Sequence, residues 1–182
     1  MNPTVLAHIA LTITCLRFTP GSTESVRRDI ELQYANRSRA IVTHEVRGVL
    51  DVLAPGFSMH YVQGSIAGRK EWEDGLRARM AELATQAKRA KDAGGEWKNP
   101  ESVSTVLQKI AVHGDRATVT AQTTTKNRAT YPHGVAYTAT LEETSEDTWV
   151  RTALGWRLLT IEQLHNRTMT DEVRTAAPKP KQ

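Results

Sequence analysis

Tyr34 and Asp147 are the two residues whose types are best suited to acid–base chemistry in an apolar setting. Tyr34 lies in a stretch with helical periodicity, in which Ile30, Tyr34 and Ile41 fall near one face. A neutral tyrosine that faces an apolar cavity can donate a preorganised, poorly screened hydrogen bond to a carbonyl or enolate oxygen. The alternative is a core tyrosine whose hydroxyl bonds to a backbone carbonyl.

Asp147 allows two opposite interpretations. A carboxyl group buried in an apolar cavity has a raised pKa and can stay protonated, which would make it a second hydrogen-bond donor beside Tyr34. Asp147 also ends the acidic run Glu142-Glu143-Thr144-Ser145-Glu146-Asp147. Because four acids in six residues are typical of a solvent-exposed edge, the run favours an exposed Asp147.

His60 and Tyr61 are neighbours in a predicted short strand, so they point to opposite faces and only one can line a cavity. Phe57 and Met59 share the parity of Tyr61 and are apolar, which favours Tyr61 on the inner face. His60 would then face outward, toward a dimer interface. If the register were reversed, His60 would be the natural acid–base group, because histidine titrates near neutral pH.

Five side chains are the remaining candidate ligand contacts: Met59, His60, Trp72, Tyr137 and Trp149. No two histidines show the i,i+4 spacing of a helical metal pair. The single cysteine, Cys15, excludes an internal disulfide and a cysteine-based zinc site. We therefore expect neither a metal site nor a cofactor.

The composition fits one folded domain. At ~150 residues per domain, 182 residues make one domain with some spare length. The formal net charge is +4, and two of the positive charges, Lys179 and Lys181, lie in the C-terminal Ala/Pro/Lys-rich run. Nucleic-acid binding needs basic residues gathered on one face, so a nucleic-acid partner is not expected. No apolar run approaches the ~20 residues of a membrane-spanning helix, so no stable membrane span is expected either.

The periodicity predicts helices first and strands afterwards. The predicted helices cover residues 25–53, with a bend at Thr43-His44 and a stop at Pro55-Gly56, and residues 69–91. The predicted strands cover residues 57–62, 103–112, 116–126, 135–152 (one strand, or two with a bulge) and 156–164, and residues 92–100 are predicted as a loop. This order is typical of the α+β class. A curved antiparallel sheet wrapped around the N-terminal helices would enclose a cone-shaped cavity.

The two ends of the chain lie outside this predicted domain, which we place at residues 23–170. Residues 1–22 are signal-like or disordered: an apolar stretch from Thr4 to Phe18 precedes a Pro-Gly-Ser break, as in a secretory signal peptide. No Lys or Arg precedes the stretch and no small-x-small cleavage site follows, so an N-terminal element packed on the domain is the alternative. We adopt export rather than a cytoplasmic location. Residues 171–182 are predicted as a disordered tail.

The closing phrase Asp147-Thr148-Trp149-Val150-Arg151…Gly155-Trp156-Arg157-Leu158, together with the order of elements, resembles the nuclear transport factor 2-like superfamily. The likeness covers roughly residues 23–168 and is closest to the SnoaL-like branch of small bacterial proteins. It implies helices held in a cone-shaped sheet. The same scaffold hosts isomerases, dehydratases, cyclases and non-catalytic association domains, so it implies no single activity.

Two enzyme families of this superfamily suggest roles for particular residues. The resemblance to ketosteroid isomerase assigns a hydrogen-bonding tyrosine to Tyr34, and an acid followed eight residues later by glycine to Asp147 and Gly155. Where that family has its carboxylate base, at the end of the first strand, this chain has Tyr61. Scytalone dehydratase is similar in having a tyrosine at a comparable place on its first strand, and it works by acid catalysis.

The sequence therefore predicts a protein that binds a small apolar, oxygenated molecule. As an enzyme it would be a cofactor-independent isomerase, dehydratase or cyclase, with Tyr34, Tyr61 and Asp147 supplying hydrogen bonds and proton transfer. The alternative is a non-catalytic dimerisation or association module whose cavity is filled by its own side chains. In either case we expect a homodimer through the outer sheet face, because the strand segments 107–112 and 149–151 carry apolar residues on both parities, more than one core face requires.

Overall fold

A computed structural model describes residues 22–131 and 135–174. The signal-like segment, apart from Ser22, and residues 175–182 lie outside the described residues. The helices are α1 (Thr23–Val42), α2 (Val46–Leu50) and α3 (Arg69–Asp92). The strands are β1 (Leu53–His60), β2 (Ile66–Gly68), β3 (Glu96–His113), β4 (Arg116–Thr130), β5 (Val135–Thr152) and β6 (Gly155–Arg174).

The six strands form one curved, open sheet in the order β2-β1-β6-β5-β4-β3. Four of the five neighbouring pairs are antiparallel, but β1 runs parallel to β6. The α+β class is confirmed, and the predicted antiparallel sheet is mixed at this one pair. A parallel pair needs a long crossover, and the whole chain between Arg69 and Thr152 supplies it.

The helix α1 places Tyr34 against the sheet. Ser22 caps its start by accepting a hydrogen bond from the backbone N–H of Ser25 at 3.2 Å. Val26, Ile30 and Tyr34 follow at spacings of four and are buried, so one face of α1 joins the core.

A break follows α1 where the sequence predicts a bend. His44 adopts a φ of 56°, in the left-handed region, and its ring Nε2 lies 2.9 Å from the carbonyl oxygen of Asn99 on β3. This contact ties the end of the helix to the edge of the sheet.

The predicted helix stop at Pro55-Gly56 is wrong. The second helix already ends at Leu50, and Pro55 and Gly56 lie inside β1. The pairing of β1 with β6 shifts register between Leu53 and Ser58, and such an irregularity accommodates a proline that cannot donate to the sheet. The strand therefore begins four residues before the predicted Phe57.

The third helix matches its predicted span to within one residue. The guanidinium of Arg69 fixes its start by donating to the carbonyl oxygens of Leu53 and Ala54, at 2.9 and 2.6 Å. Met80 and Leu83 are buried against the sheet. No helix among the described residues is long and apolar enough to cross a membrane.

Candidate functional site

The central polar cluster consists of Tyr34 from α1 and of Asp147 and Trp149 from β5. The Tyr34 hydroxyl donates to Asp147 Oδ2 at 2.5 Å, and Trp149 Nε1 donates to the Tyr34 oxygen at 3.2 Å. The Tyr34 and Trp149 rings meet edge-on, with centroids 5.0 Å apart. Since the indole can only donate, the Tyr34 proton is directed at the carboxyl group.

Asp147 lies in the middle of the sheet, between Val119 on β4 and Ile161 on β6. Only 2% of Asp147 and of Tyr34 is exposed to solvent, and Trp149 is fully buried. The prediction that Asp147 is exposed, which was based on the acidic run, is therefore wrong. The run alternates across the strand, so that Glu146 points to solvent while Asp147 points to the core.

Burial raises the pKa of Asp147 from its ordinary value to about 6. The hydrogen bond from Tyr34 opposes this shift, and so do the nearby Ser145 hydroxyl and the positive charge of Arg37. Glu143 lies two residues before Ser145 on the same face of β5, and its negative charge raises the pKa of Asp147 further. Asp147 can therefore exist in both protonation states near neutral pH.

Burial also raises the pKa of Tyr34 well above its ordinary value, and the charge of Asp147 adds to the effect. Tyr34 is therefore a neutral hydrogen-bond donor at any pH at which the protein works. It cannot take the proton of Asp147, and its contribution is to hold Oδ2 in place.

Two buried polar atoms beside this cluster have no hydrogen-bond partner: Asp147 Oδ1 and Arg37 Nε. Ser145 lies near Asp147, but its hydroxyl does not complete a hydrogen bond to Oδ1. Arg37 was not among the residues predicted from the sequence. The sequence feature that could have indicated Arg37 is its position three residues after Tyr34, which places it on the same side of α1.

Tyr61 does not join the central polar cluster. It follows β1 by one residue, and its backbone N–H donates to the carbonyl oxygen of Ser65 in the turn toward β2. Its side chain is partly buried and lines a groove of about 430 Å³ with Trp72 of α3. Trp72 meets Phe57 edge-on at 5.3 Å, so both predicted contacts lie on the α3 side of the core.

The other predicted ligand contacts are dispersed. Met59 is buried in the core, while His60 is partly buried with its Nε2 3.2 Å from the Ser58 hydroxyl. Tyr137 is exposed and meets Tyr131 edge-on at 5.8 Å. It lies ten residues before Asp147 on β5, about 33 Å along an extended strand, so it cannot contact the same small ligand.

A groove between α1 and β3 approaches the central polar cluster from the edge of the sheet. It has a volume of about 510 Å³ and is lined by Tyr34 and by Val103 and Thr105 of β3. That volume is in the usual range for small-molecule sites. Among the described residues, no group of histidine, cysteine or carboxylate side chains is arranged to hold a metal ion.

Comparison with known proteins identifies the fold. No family model and no curated protein matches the sequence. A candidate scytalone dehydratase from Novosphingobium aromaticivorans superposes with a TM-score of 0.54 and 16% identity, over 87% of this chain and 96% of its own. A candidate dehydratase of the nuclear transport factor 2-like family, from Streptomyces avermitilis, superposes with a TM-score of 0.51 and 16% identity, over 78% of this chain and 96% of its own.

The chain has the nuclear transport factor 2-like fold. A candidate aromatic ring hydroxylase from Novosphingobium aromaticivorans also shares it, with a TM-score of 0.52 and 16% identity over 84% of this chain and 96% of its own. The resemblance inferred from the sequence is thus confirmed for the fold. At this identity the likeness does not extend to an activity, and the nuclear transport factor 2-like fold supports many.

Proposed function

We propose that the protein binds a small apolar, oxygen-containing molecule and moves a proton on it without a cofactor, as an isomerase, dehydratase or cyclase. The observation that carries this proposal is the carboxyl group of Asp147, with one oxygen held by Tyr34 and the other unpartnered. Leaving a buried polar atom unpaired costs about 1–3 kcal/mol. A role in proton transfer would explain why the protein tolerates this cost, whereas a role in packing alone would not.

Asp147 is the acid–base group in this proposal. Its pKa of about 6 lies close to neutral pH, where a group both takes up and releases protons efficiently. Tyr34 orients the carboxyl group through Oδ2, so Oδ1 is the atom that exchanges the proton with the ligand. This differs from the two donors expected from the sequence, because the Tyr34 hydroxyl is already donated to Asp147.

The structural neighbours support the choice of reaction class. Two of them are named as candidate dehydratases, one of the scytalone type, and removal of water from a carbonyl compound begins with the same kind of proton transfer. Tyr61 and Trp72 line a separate groove on the α3 side, so this proposal gives them no part in the proton transfer.

The association module is the second candidate, and one observation favours it. Tyr34, Asp147 and Trp149 are almost completely buried, so in this conformation the cluster is part of a filled core. If no ligand can reach the cluster, its hydrogen bonds serve only to hold α1 against the sheet.

Hydrogen–deuterium exchange of 1-tetralone separates the two candidates. This ten-carbon ketone is apolar and has one enolisable CH₂ group, whose exchange in D₂O can be followed by proton NMR. We expect the wild type to accelerate exchange above the buffer rate, and Asp147→Asn to abolish most of the acceleration because the amide cannot take the proton. Loss of a well-placed general base typically lowers a rate by about 10²–10⁴-fold.

The matched control is Glu146→Gln, on the adjacent residue of the same strand, which points to solvent. It should exchange 1-tetralone like the wild type. Exchange at the buffer rate with the wild type, or equal exchange with Asp147→Asn, would contradict the proposed catalysis and leave the association module as the better explanation.

A further inference from the structure

A cavity of about 730 Å³ lies where the starts of β1 and α3 meet the turn between β5 and β6. Its volume is in the usual range for small-molecule sites. Leu50, Pro55 and Leu154 contribute an apolar wall, and the guanidinium groups of Arg69 and Arg157 line the same space. No residue of the central polar cluster lines this cavity, so it is a separate place on the molecule.

Arg69 is held in a fixed orientation by partners that carry no charge. Its Nη1 donates to the carbonyl oxygens of Leu53 and Ala54 at 2.9 and 2.6 Å, and its Nη2 donates to that of Leu50 at 3.5 Å. None of the ion pairs between described residues includes Arg69. The three bonds therefore orient the guanidinium group and leave its positive charge without a carboxylate partner.

Arg157 brings a second cation to the cavity. Its Nη1 donates to the carbonyl oxygen of Trp156 at 2.8 Å, and the same nitrogen lies 3.8 Å from the position that a Cβ would occupy at Gly155. Like Arg69 it is partly buried, and it too belongs to none of the ion pairs between described residues. Two guanidinium groups without an acidic partner thus meet at one cavity.

The apolar rim of the cavity is presented by a well-bonded turn. The hydroxyl of Thr152 donates to the carbonyl oxygen of Gly155 at 2.8 Å and accepts the backbone N–H of Leu154 at 3.1 Å. Leu154 is 79% exposed, more than any other large apolar side chain among the described residues. A molecule that covers Leu154 would remove this apolar surface from water, which favours binding.

Asp51 is the acid that lines this cavity. Its carboxylate lies 4.0 Å from Arg47 Nε, one turn before it in the chain, and its side chain is 69% exposed. It forms no ion pair with Arg69 or Arg157. Two positive charges and one negative charge line the cavity, so a singly charged anion would balance them.

We propose that this cavity binds a small carboxylic acid with an apolar body, in its ionised form. Arg69 and Arg157 hold the carboxylate, because the planar fork of a guanidinium group matches the two oxygens of a carboxylate. The apolar body lies against Leu154 and its apolar neighbours. Since Arg69 is already oriented by the backbone, little of its conformational freedom is lost on binding. This site goes beyond the proposed function and does not depend on Asp147.

A binding experiment tests the site without relying on turnover. The probe is 2-naphthoate, and the reference ligand is 2-naphthamide, which has the same rings and nearly the same shape but no charge. Isothermal titration calorimetry near neutral pH measures both affinities. We expect the wild type to bind 2-naphthoate about 10-fold or more tightly than 2-naphthamide, as hydrogen bonds between charged groups supply. Added sodium chloride should reduce this preference, because salt screens the charges.

Arg157→Gln should remove most of the preference for 2-naphthoate and leave the affinity for 2-naphthamide within about twofold of the wild type, since the apolar wall remains. Arg157→Lys keeps the charge but not the planar fork, so it should retain part of the preference. Asp51→Asn should tighten 2-naphthoate binding by up to about fivefold, because it removes a repelling charge from the cavity.

The matched control is Arg28→Gln. It removes the same charge from an arginine on α1 that is 74% exposed, pairs with Glu24 and lines none of the described cavities. It should bind both ligands like the wild type. Equal weakening of 2-naphthoate by Arg28→Gln and Arg157→Gln would overturn the proposal, because the probe would then respond only to the net charge of the chain.

Leu154→Ser identifies the cavity, because Arg157 also lines a second groove between α1 and α2, which Leu154 does not line. This exposed substitution should weaken both ligands by about threefold or more through the lost apolar contact. Unchanged affinities in Leu154→Ser would overturn the assignment to this cavity.

Three further results would overturn the carboxylate site. The first is equal binding of 2-naphthoate and 2-naphthamide by the wild type, and the second is a preference that survives in Arg157→Gln. The third is acetate binding as tightly as 2-naphthoate, since acetate has the carboxylate without the apolar body. Weak acetate binding beside tight 2-naphthoate binding supports the site, and none of these outcomes depends on whether 1-tetralone exchange occurs.

Discussion

Asp147 destabilises the folded protein in its ionised form, and this effect can be measured through pH. The folded protein holds the Asp147 proton up to about pH 6, whereas an unfolded chain releases it near pH 4. Between these values the folded state binds more protons, so the free energy of unfolding falls as the pH rises. The contribution of Asp147 to this fall is about 3 kcal/mol.

We therefore expect Asp147→Asn to gain stability relative to the wild type by about 2 kcal/mol between pH 4 and pH 7, the part of the full effect that this pH range covers. Urea unfolding of both proteins at the two pH values measures the difference, and subtraction of the two profiles removes the titration of all other groups. Parallel profiles for wild type and variant would show that Asp147 has an ordinary pKa and is not held in the apolar interior.

Tyr34→Phe tests the hydrogen bond that holds the carboxyl group. The ring and its contact with Trp149 remain, but Asp147 Oδ2 loses its donor and the indole N–H loses its acceptor. At pH 8, where Asp147 is ionised, the free energy of unfolding should fall by about 1–3 kcal/mol. At pH 5 the loss should be smaller, because a protonated carboxyl group needs the donor less.

The pKa of Asp147 should also rise above 6 in Tyr34→Phe, since the Tyr34 hydroxyl stabilises the ionised form. Carbon-13 NMR of the aspartate carboxyl groups measures this shift. Tyr131→Phe is the control, because Tyr131 is exposed and distant from the central polar cluster. A pKa that falls, or a stability loss that is independent of pH, would contradict the bonding described for Tyr34.

The sequence indicates some residues of the candidate site and cannot indicate others. Tyr34 and Asp147 could be selected because their types and element positions were informative. The burial of Asp147 could not be predicted, because acids occupy both parities of β5 and charge alone does not reveal which parity faces the core. Arg37 was not selected because only the three-dimensional structure shows that its Nε is buried without a hydrogen-bond partner.

The elements were predictable where periodicity is strong. Apolar spacing located α1 and α3, and the change to a period of two located the long strands. The short β2 was missed, and β3 begins at Glu96 inside the predicted loop. These segments are polar or glycine-rich, so their strand conformation depends on pairing with β1 and β4 rather than on local preference.

Gly95, between α3 and β3, is where the helix end meets the sheet. A Cβ at Gly95 would overlap the backbone carbonyl oxygen of Thr130 on β4, and neither backbone can move without breaking the pairing. Gly95→Ala should therefore lower the free energy of unfolding by more than about 1 kcal/mol. Gly75→Ala is the matched comparison, because Gly75 lies inside α3 with open space around it.

Gly75→Ala should raise the free energy of unfolding by up to about 1 kcal/mol, since alanine favours a helix over glycine. Chemical unfolding at one pH measures both variants. Equal effects of the two substitutions would show that the close approach of Gly95 to β4 does not constrain the packing of α3.

The whole molecule is predicted to be a homodimer through the outer sheet face. Val106 is 63% exposed on that face, while its neighbour Leu107 is buried on the inner one. An apolar side chain on the outer face of a wide sheet is stabilised when a second sheet covers it. Light scattering should give about twice the chain mass of 20.2 kDa.

Val106→Asp should shift the protein toward the monomer, because a charge would be buried in the interface. Leu154→Asp is the control, since Leu154 is even more exposed but lies in the turn between β5 and β6. A monomeric wild type at micromolar concentration, or equal dissociation by both variants, would contradict a dimer through this face.

The bond between Tyr34 and Asp147 joins residues 113 positions apart in the chain. Such a contact closes a long loop of chain that includes α3, β3 and β4, and contacts between residues so far apart form slowly during folding. Until β5 is seated, Asp147 stays in water with the acidity of an ordinary aspartate. In a newly made or half-refolded chain the Asp147 carboxyl group therefore keeps an ordinary pKa, and the raised pKa belongs only to the assembled fold.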